Sequence, residues 1–178
     1  MTPALGRAGP LVFASLAPED AEGLYAAVAG PEVARYLGAP DVTDLADTRR
    51  RIARALAGPG DVSGTALPET WVHLVVREID GPVVGRLEAT LRPGWAEVAW
   101  VLGAPWWGRG YGTLAARFLS DHLAEKYGTR ELWASAHPDN AASIAIMRRL
   151  GMELQNDPYA RDLASRDPGD VIFARLVV

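Results

Sequence analysis

The spacing of apolar and polar residues changes period twice along the chain, and those changes divide it into segments. From Glu19 to Ala29, and again over "LADTRRRIARALAG", apolar residues recur every three to four positions, the period of an amphipathic helix. Pro18 suits the entry of the first helix. Asp41 to Asp44 offer capping side chains before the second, and Gly58 closes it. "GPEVARYLG" reads as a short turn or a further helical piece, and "GPGDVSGTALPET" as a Gly/Pro-rich loop. The period then drops to two. "WVHLVVREI", "PVVGRLEATL" and "WAEVAWVLG" alternate as strands, joined at Asp80–Gly81 and at "RPG", and predict an antiparallel meander. A helix over Tyr111–Lys126, ended by Gly128, precedes a strand at "ELWASAH". "PDN" leads into a helix at "AASIAIMRRL", closed by Gly151, and the last strands are "MELQN" and "DVIFARLVV", around the loop "DPYARDLASRDPG". The expected fold is α/β, or α+β, in one domain over residues 1–178. It has a mixed central sheet, two N-terminal helices, the meander and a central strand–helix–strand–helix unit.

Composition narrows the function without naming it. The 178 residues are 49% hydrophobic and 22% charged, enough for one domain with a real core. No apolar run approaches a membrane span. The N-terminal stretch has one basic residue and no long apolar centre, so a secretory signal is not expected and a cytoplasmic location is. Cysteine is absent, which excludes disulfides and thiol nucleophiles. A net charge of −4 argues against broad nucleic-acid binding. Arg49, Arg50, Arg51 and Arg54 would spread around a helix and read as a solvated surface. His73, His122 and His137 have no metal-ligand spacing, and no Gly-x-Ser-x-Gly is present.

The junction "WWGRGYGT", Trp106 to Thr113, carries the first candidate chemistry. Glycines between a strand end and a helix start leave backbone N–H groups free to face an anion, and the helix start adds partial positive charge. Gly108, Gly110 and Gly112 fit, and Arg109 can add a charge-assisted contact. Neither a Gly-Lys-Ser/Thr phosphate loop nor a Gly-x-Gly-x-x-Gly dinucleotide turn is present. From the glycines alone, a structural turn that needs small residues reads equally well.

The longer segment "WAEVAWVLGAPWWGRGYGTLAARFLSDHLAEKYGTRELWASAHPDNAASIAIMRRLGME" resembles the GNAT superfamily of acyl-CoA-dependent N-acetyltransferases, in the branch of the ribosomal-protein alanine N-acetyltransferases. Gly110 and Gly112 match the small positions of the family's Q/R-x-x-G-x-G/A motif, whereas Trp107 stands where Gln or Arg is usual. Asn140, Ser143, Leu150, Gly151 and Met152 resemble its second signature, N-x-x-S…L-G-F. The resemblance implies that acetyl-CoA lies in a splay between the "WAEVAWVL" and "ELWASAH" strands. Pantetheine would pair near Trp100, Val101 and Leu102, and pyrophosphate would sit on the amides of Arg109, Gly110, Tyr111, Gly112 and Thr113. Asn140 and Ser143 would approach from the next helix. Asn140 also reads as a helix N-cap, and the two roles are compatible.

Amide formation needs a neutral amine and eases departure of a thiolate with a nearby donor. The first candidate base is Glu97, where Trp95, Val98 and Trp100 would desolvate it. Glu88, on the neighbouring strand, is the second. Many family members place a tyrosine acid where this chain has Met147, leaving Ser143 as the local hydroxyl. The acceptor cleft is expected from the first helices and the late loop, with Tyr36, Trp71, Trp95 and Tyr159 as candidates. The expected activity is direct acetyl transfer to a primary amine, a protein N-terminus or a small molecule, without a metal. Membrane and nucleic acid are not expected partners, and a homodimer is open. The alternative is a catalytically silent acyl-CoA-binding or regulatory domain.

Overall fold

The computed structural model describes residues 2–37, 42–60, 69–157 and 160–177. The chain opens with a hairpin that its pattern does not announce: β1 (Ala4–Ala8) and β2 (Leu11–Ser15), turned at Gly9 with φ 54°. β1 is mostly exposed, so it lacks the alternation that marks a half-buried strand. A single 3₁₀ turn, Pro18–Asp20, leads into α1 (Ala21–Val28), followed by α2 (Pro31–Ala34) and α3 (Leu45–Ala57). The Asp44 carboxylate caps α3 by accepting from the Asp47 amide. The meander follows as β3 (Thr70–Glu78), β4 (Val83–Arg92) and β5 (Trp95–Leu102). Then come α4 (Tyr111–Tyr127), β6 (Glu131–Ala136), α5 (Ala141–Arg149), β7 (Glu153–Leu154) and β8 (Val171–Leu176). "MELQN" thus shrinks to a two-residue edge strand.

The eight strands form one sheet in the order β1-β2-β3-β4-β5-β6-β8-β7. All neighbours are antiparallel except β5 and β6, which run parallel and pair only at Trp95–Glu131, Ala96–Leu132 and Glu97–Trp133. Beyond that point β5 stays with β4 as far as Leu102, and β6 stays with β8 as far as Ala136. The two central strands therefore part, and the sheet opens into a V.

Alternation assigns the faces. Leu87, Ala89, Leu91, Ala96 and Val98 meet Ala115, Leu119 and Leu123 of α4 and Met147 of α5 in the main core. On the opposite face Val75 and Val83 meet Leu24 and Val28 of α1 and Ile52 of α3. Further along that face Trp95 and Trp133 form a smaller cluster with Leu163 and Ile172, under the segment between β7 and β8. Burial of this apolar surface is the main force holding helices to sheet. The hairpin joins the core through Phe13, whose ring stacks on Phe118 of α4 with centroids 3.9 Å apart.

Candidate active site

A cavity of about 860 Å³ opens where β5 leaves β6. Trp100, Val101 and Leu102 line one side, and Gly110, Tyr111, Gly112 and Thr113 line the start of α4. Asn140 and Ser143 line it from α5, and Tyr36 lines it from the segment after α2. These ten sequence-derived candidates are brought to one space.

The strand–helix junction has the backbone it needs. Gly108 (φ 74°) and Gly110 (φ 78°) are left-handed, a conformation that costs other residues about 1–2 kcal/mol. A methyl built on either meets no atom within 4 Å, so conformation and not crowding demands glycine there. Gly112 differs: a Cβ would fall 2.6 Å from Ile146 Cδ1, so it is small to let α5 pack against α4.

Arg109 does not reach the cavity. Its guanidinium is 3.6 Å from Glu78, which also accepts from the Tyr111 hydroxyl at 2.8 Å. Two arginines that sequence reasoning missed do line the cavity, Arg117 and Arg149. Helical spacing carried the signal: Arg117 is one turn past Thr113, and Arg149 is three residues past Ile146. Neither has an ion-pair partner among the described residues. Asn140 caps α5 by accepting from the Ser143 amide at 3.1 Å. Met147, at the family's tyrosine position, is core.

The side of β5 that faces α1 and α3 holds the polar groups. Register puts Glu88 opposite Ala99 on one side and opposite His73 on the other, with Trp71 and Thr90 one step along. Glu88 Oε1 lies 2.7 Å from Arg86 Nε and 3.8 Å from His73 Nδ1. Burial pushes the Glu88 carboxyl up, but the charge of Arg86, helped by His73, outweighs it and holds the group well below the usual carboxylate range. Neither His73 ring nitrogen has a hydrogen-bond partner among the described residues. Trp71 packs under Arg54, which lies 4.9 Å from its ring centre.

Two candidates have surroundings other than those expected. Glu97 is not desolvated by Trp100, which points to the other face of β5. It is 4% exposed, and its carboxylate accepts from the amides of Ala164 and Ser165, both at 2.8 Å, and from the Ser165 hydroxyl. It does not line the cavity. Trp95 is no cleft wall, since it is buried against Trp133 and Leu163, with Arg92 and Arg161 over its ring. Tyr159 lies outside the described residues. His122 stacks on Phe118, and His137 faces Tyr36 at 5.7 Å near the cavity mouth. Among the described residues no group of acidic or histidine side chains is placed to hold a metal ion.

A family model for the acetyltransferase (GNAT) domain matches residues 11–153. The chain belongs to the GNAT acetyltransferase family. Among curated proteins it is 26% identical over 138 residues to the uncharacterized N-acetyltransferase p20 of Bacillus licheniformis, covering 76% of this chain and 74% of that one. An acetyltransferase structure from Agrobacterium tumefaciens is 26% identical, with a TM-score of 0.69 over 98% of this chain and 95% of that one. RimL, a ribosomal L7/L12 α-N-protein acetyltransferase solved with coenzyme A, shares the fold at 19% identity, with a TM-score of 0.77 over 98% of each chain. As a GNAT acetyltransferase the protein takes an acetyl group from acetyl-CoA and passes it to an amine. The left-handed glycines, the start of α4 and the unpaired arginines suit the phosphates of that donor. No helix among the described residues is long and apolar enough to cross a membrane.

Proposed function

We propose that acetyl-CoA occupies the cavity with its pyrophosphate on the amides of Arg109 to Thr113 and its pantetheine along Trp100 to Leu102. The amine attacks the thioester carbonyl directly, from the Glu88 side of β5. The C–N bond forms as the C–S bond breaks, and the amine proton passes to the His73–Glu88 pair. A carboxylate held so acidic is a weak base by itself. Its charge instead favours the amine's approach, and the neighbouring His73, whose Nδ1 lies 3.8 Å from Glu88, takes the proton. CoA leaves as a thiolate, with the Ser143 hydroxyl as the donor on hand. The carrying observation is that Trp100 to Leu102 of β5 line the cavity and that Glu88 pairs with Ala99, the residue just before them, beside the point where β5 and β6 part.

The acceptor class we favour is the α-amine of a polypeptide N-terminus. RimL, which acts on such an amine in L7/L12, aligns over nearly the whole chain. A cytoplasmic site of action belongs to the same reading. Thermal unfolding is measured with acetyl-CoA, CoA and ATP, and thiol release with N-terminal peptides, a polyamine and an amino sugar. Stabilisation of several degrees by both CoA species but not ATP is expected, with turnover fastest on peptides. No shift with either CoA species sinks the cofactor placement. Turnover confined to the small amines sinks the acceptor class.

A further inference from the structure

Among the described residues Glu97 is the most buried carboxylate on the acceptor side of the sheet apart from Asp20, and the proposed transfer chemistry leaves it without a task. Its partners give it one. Ala164 and Ser165 belong to the segment between β7 and β8, which crosses the face of β5 and β6. The same segment is held at three other points. Arg92 Nη1 donates to the Asp162 carbonyl at 2.8 Å, Arg161 Nη2 reaches Glu131 at 2.9 Å, and the Arg161 guanidinium lies over Trp133 at 5.3 Å. Glu97 sits at the last paired position before the V opens, opposite Trp133. One step further on this face stand Ala99 on β5 and Ser135 on β6. Ser165 Oγ is 3.4 Å from Ser135 Oγ while its other contacts bind Glu97. The segment is therefore a strap nailed across the apex of the V, beside the floor formed by Ala99, Glu88 and His73.

We infer that Glu97 is a positioning residue: it fixes the strap of residues 160–167 as a wall of the acceptor site and so sets affinity for the amine, while moving no proton itself. Three donors of the strap, two of them backbone N–H groups, occupy three of the carboxylate's roughly four accepting positions, and the side chain does not line the cavity. A carboxylate acting as base needs a free lone pair aimed at the amine or at a water. Glutamine in its place offers one accepting oxygen and turns an N–H₂ toward a donor, so one backbone N–H is left unpaired. The strap loosens without any change at Glu88, at His73 or in the acetyl-CoA cavity.

The kinetic arm of the test rests on the acetyl-transfer reading, and the proteolytic arm does not. Glu97→Gln and Ser165→Ala are compared with the unmodified protein for acetyl-CoA affinity, for KM and kcat toward the best amine, and for the pH profile of kcat/KM. Trypsin cleavage after Arg161 and Arg166 is timed by mass spectrometry. Glu97→Gln is expected to raise the amine KM about tenfold or more, with kcat within about threefold and an unmoved pH profile. Cleavage in the strap speeds up by about tenfold. Ser165→Ala, which keeps the Glu97 charge and removes one donor, shifts both readouts the same way by less, and carries the test if Glu97→Gln does not fold. The inference is overturned if Glu97→Gln loses kcat about a hundredfold together with the acidic limb of its pH profile while the strap resists trypsin as before. It is equally overturned if Ser165→Ala leaves both KM and cleavage unchanged. Should the unmodified protein release no thiol with any amine, the transfer reading fails, and faster cleavage still decides the tether.

Discussion

The indole N–H of Trp107 donates to the Leu102 carbonyl at 2.7 Å, and the ring remains half exposed against the cavity. That bond explains how tryptophan stands where the family usually carries Gln or Arg: a flat donor ties the loop to the end of β5. Glu88 is the residue with most consequence for pH. Its carboxyl is held below the ordinary 4.5, so the folded state binds fewer protons than the unfolded one at and just below that pH. The stability it contributes is complete above pH 4.5 and fades as acid titrates the folded group. Glu88→Gln should therefore lose stability less steeply below pH 4.5, read from urea midpoints at successive pH values. At neutral pH the same variant should lose about 10–100-fold in kcat/KM with acetyl-CoA affinity unchanged. The positions of Gly110, Asn140 and Ser143 on the cavity wall were legible because each is set within one turn of backbone. The surroundings of Glu97 and Trp95 were not. Alternation gives the face a side chain takes but not what covers it, and their cover comes from a segment more than 60 residues later.

Elements were legible where period and punctuation agreed. Asp80–Gly81 marks the hairpin, with Asp80 at φ 54°, and Gly58, Gly128 and Gly151 each follow a helix they close. The β1–β2 hairpin escaped because its outer strand is an exposed edge, and its turn, Gly9–Pro10, lies in a stretch without alternation. The close fit of Gly112 against Ile146 at the contact of α4 with α5 is also invisible to pattern. Gly112→Val should force Ile146 aside and displace the start of α5, where Asn140 and Ser143 sit. A cost of about 1–3 kcal/mol in unfolding free energy, with acetyl-CoA affinity weakened in parallel, is expected from denaturant titration and calorimetry. Gly110→Ala, with open space around it, should cost about 1–2 kcal/mol through its left-handed backbone alone.

At the scale of the molecule, tight turns predicted the meander and the family resemblance the splay between β5 and β6, whereas the place of β8 between β6 and β7 was not foreseen, because no short turn joins β8 to β6. The sheet comprises two antiparallel blocks, β1 to β5 and β6-β8-β7, sewn together by three residue pairs. Past that seam, the backbone groups of Val98 to Leu102 turned toward β6 have no strand to meet. Those amides should trade hydrogen for deuterium far faster than their neighbours paired with β4, even at the heart of the fold. In the placement proposed above, a bound acyl donor would lie in the gap and stitch the blocks together, and the same amides should then slow by about tenfold or more. On that reading the sheet is left one thread short, and its own substrate would serve as the missing thread for the length of each turnover.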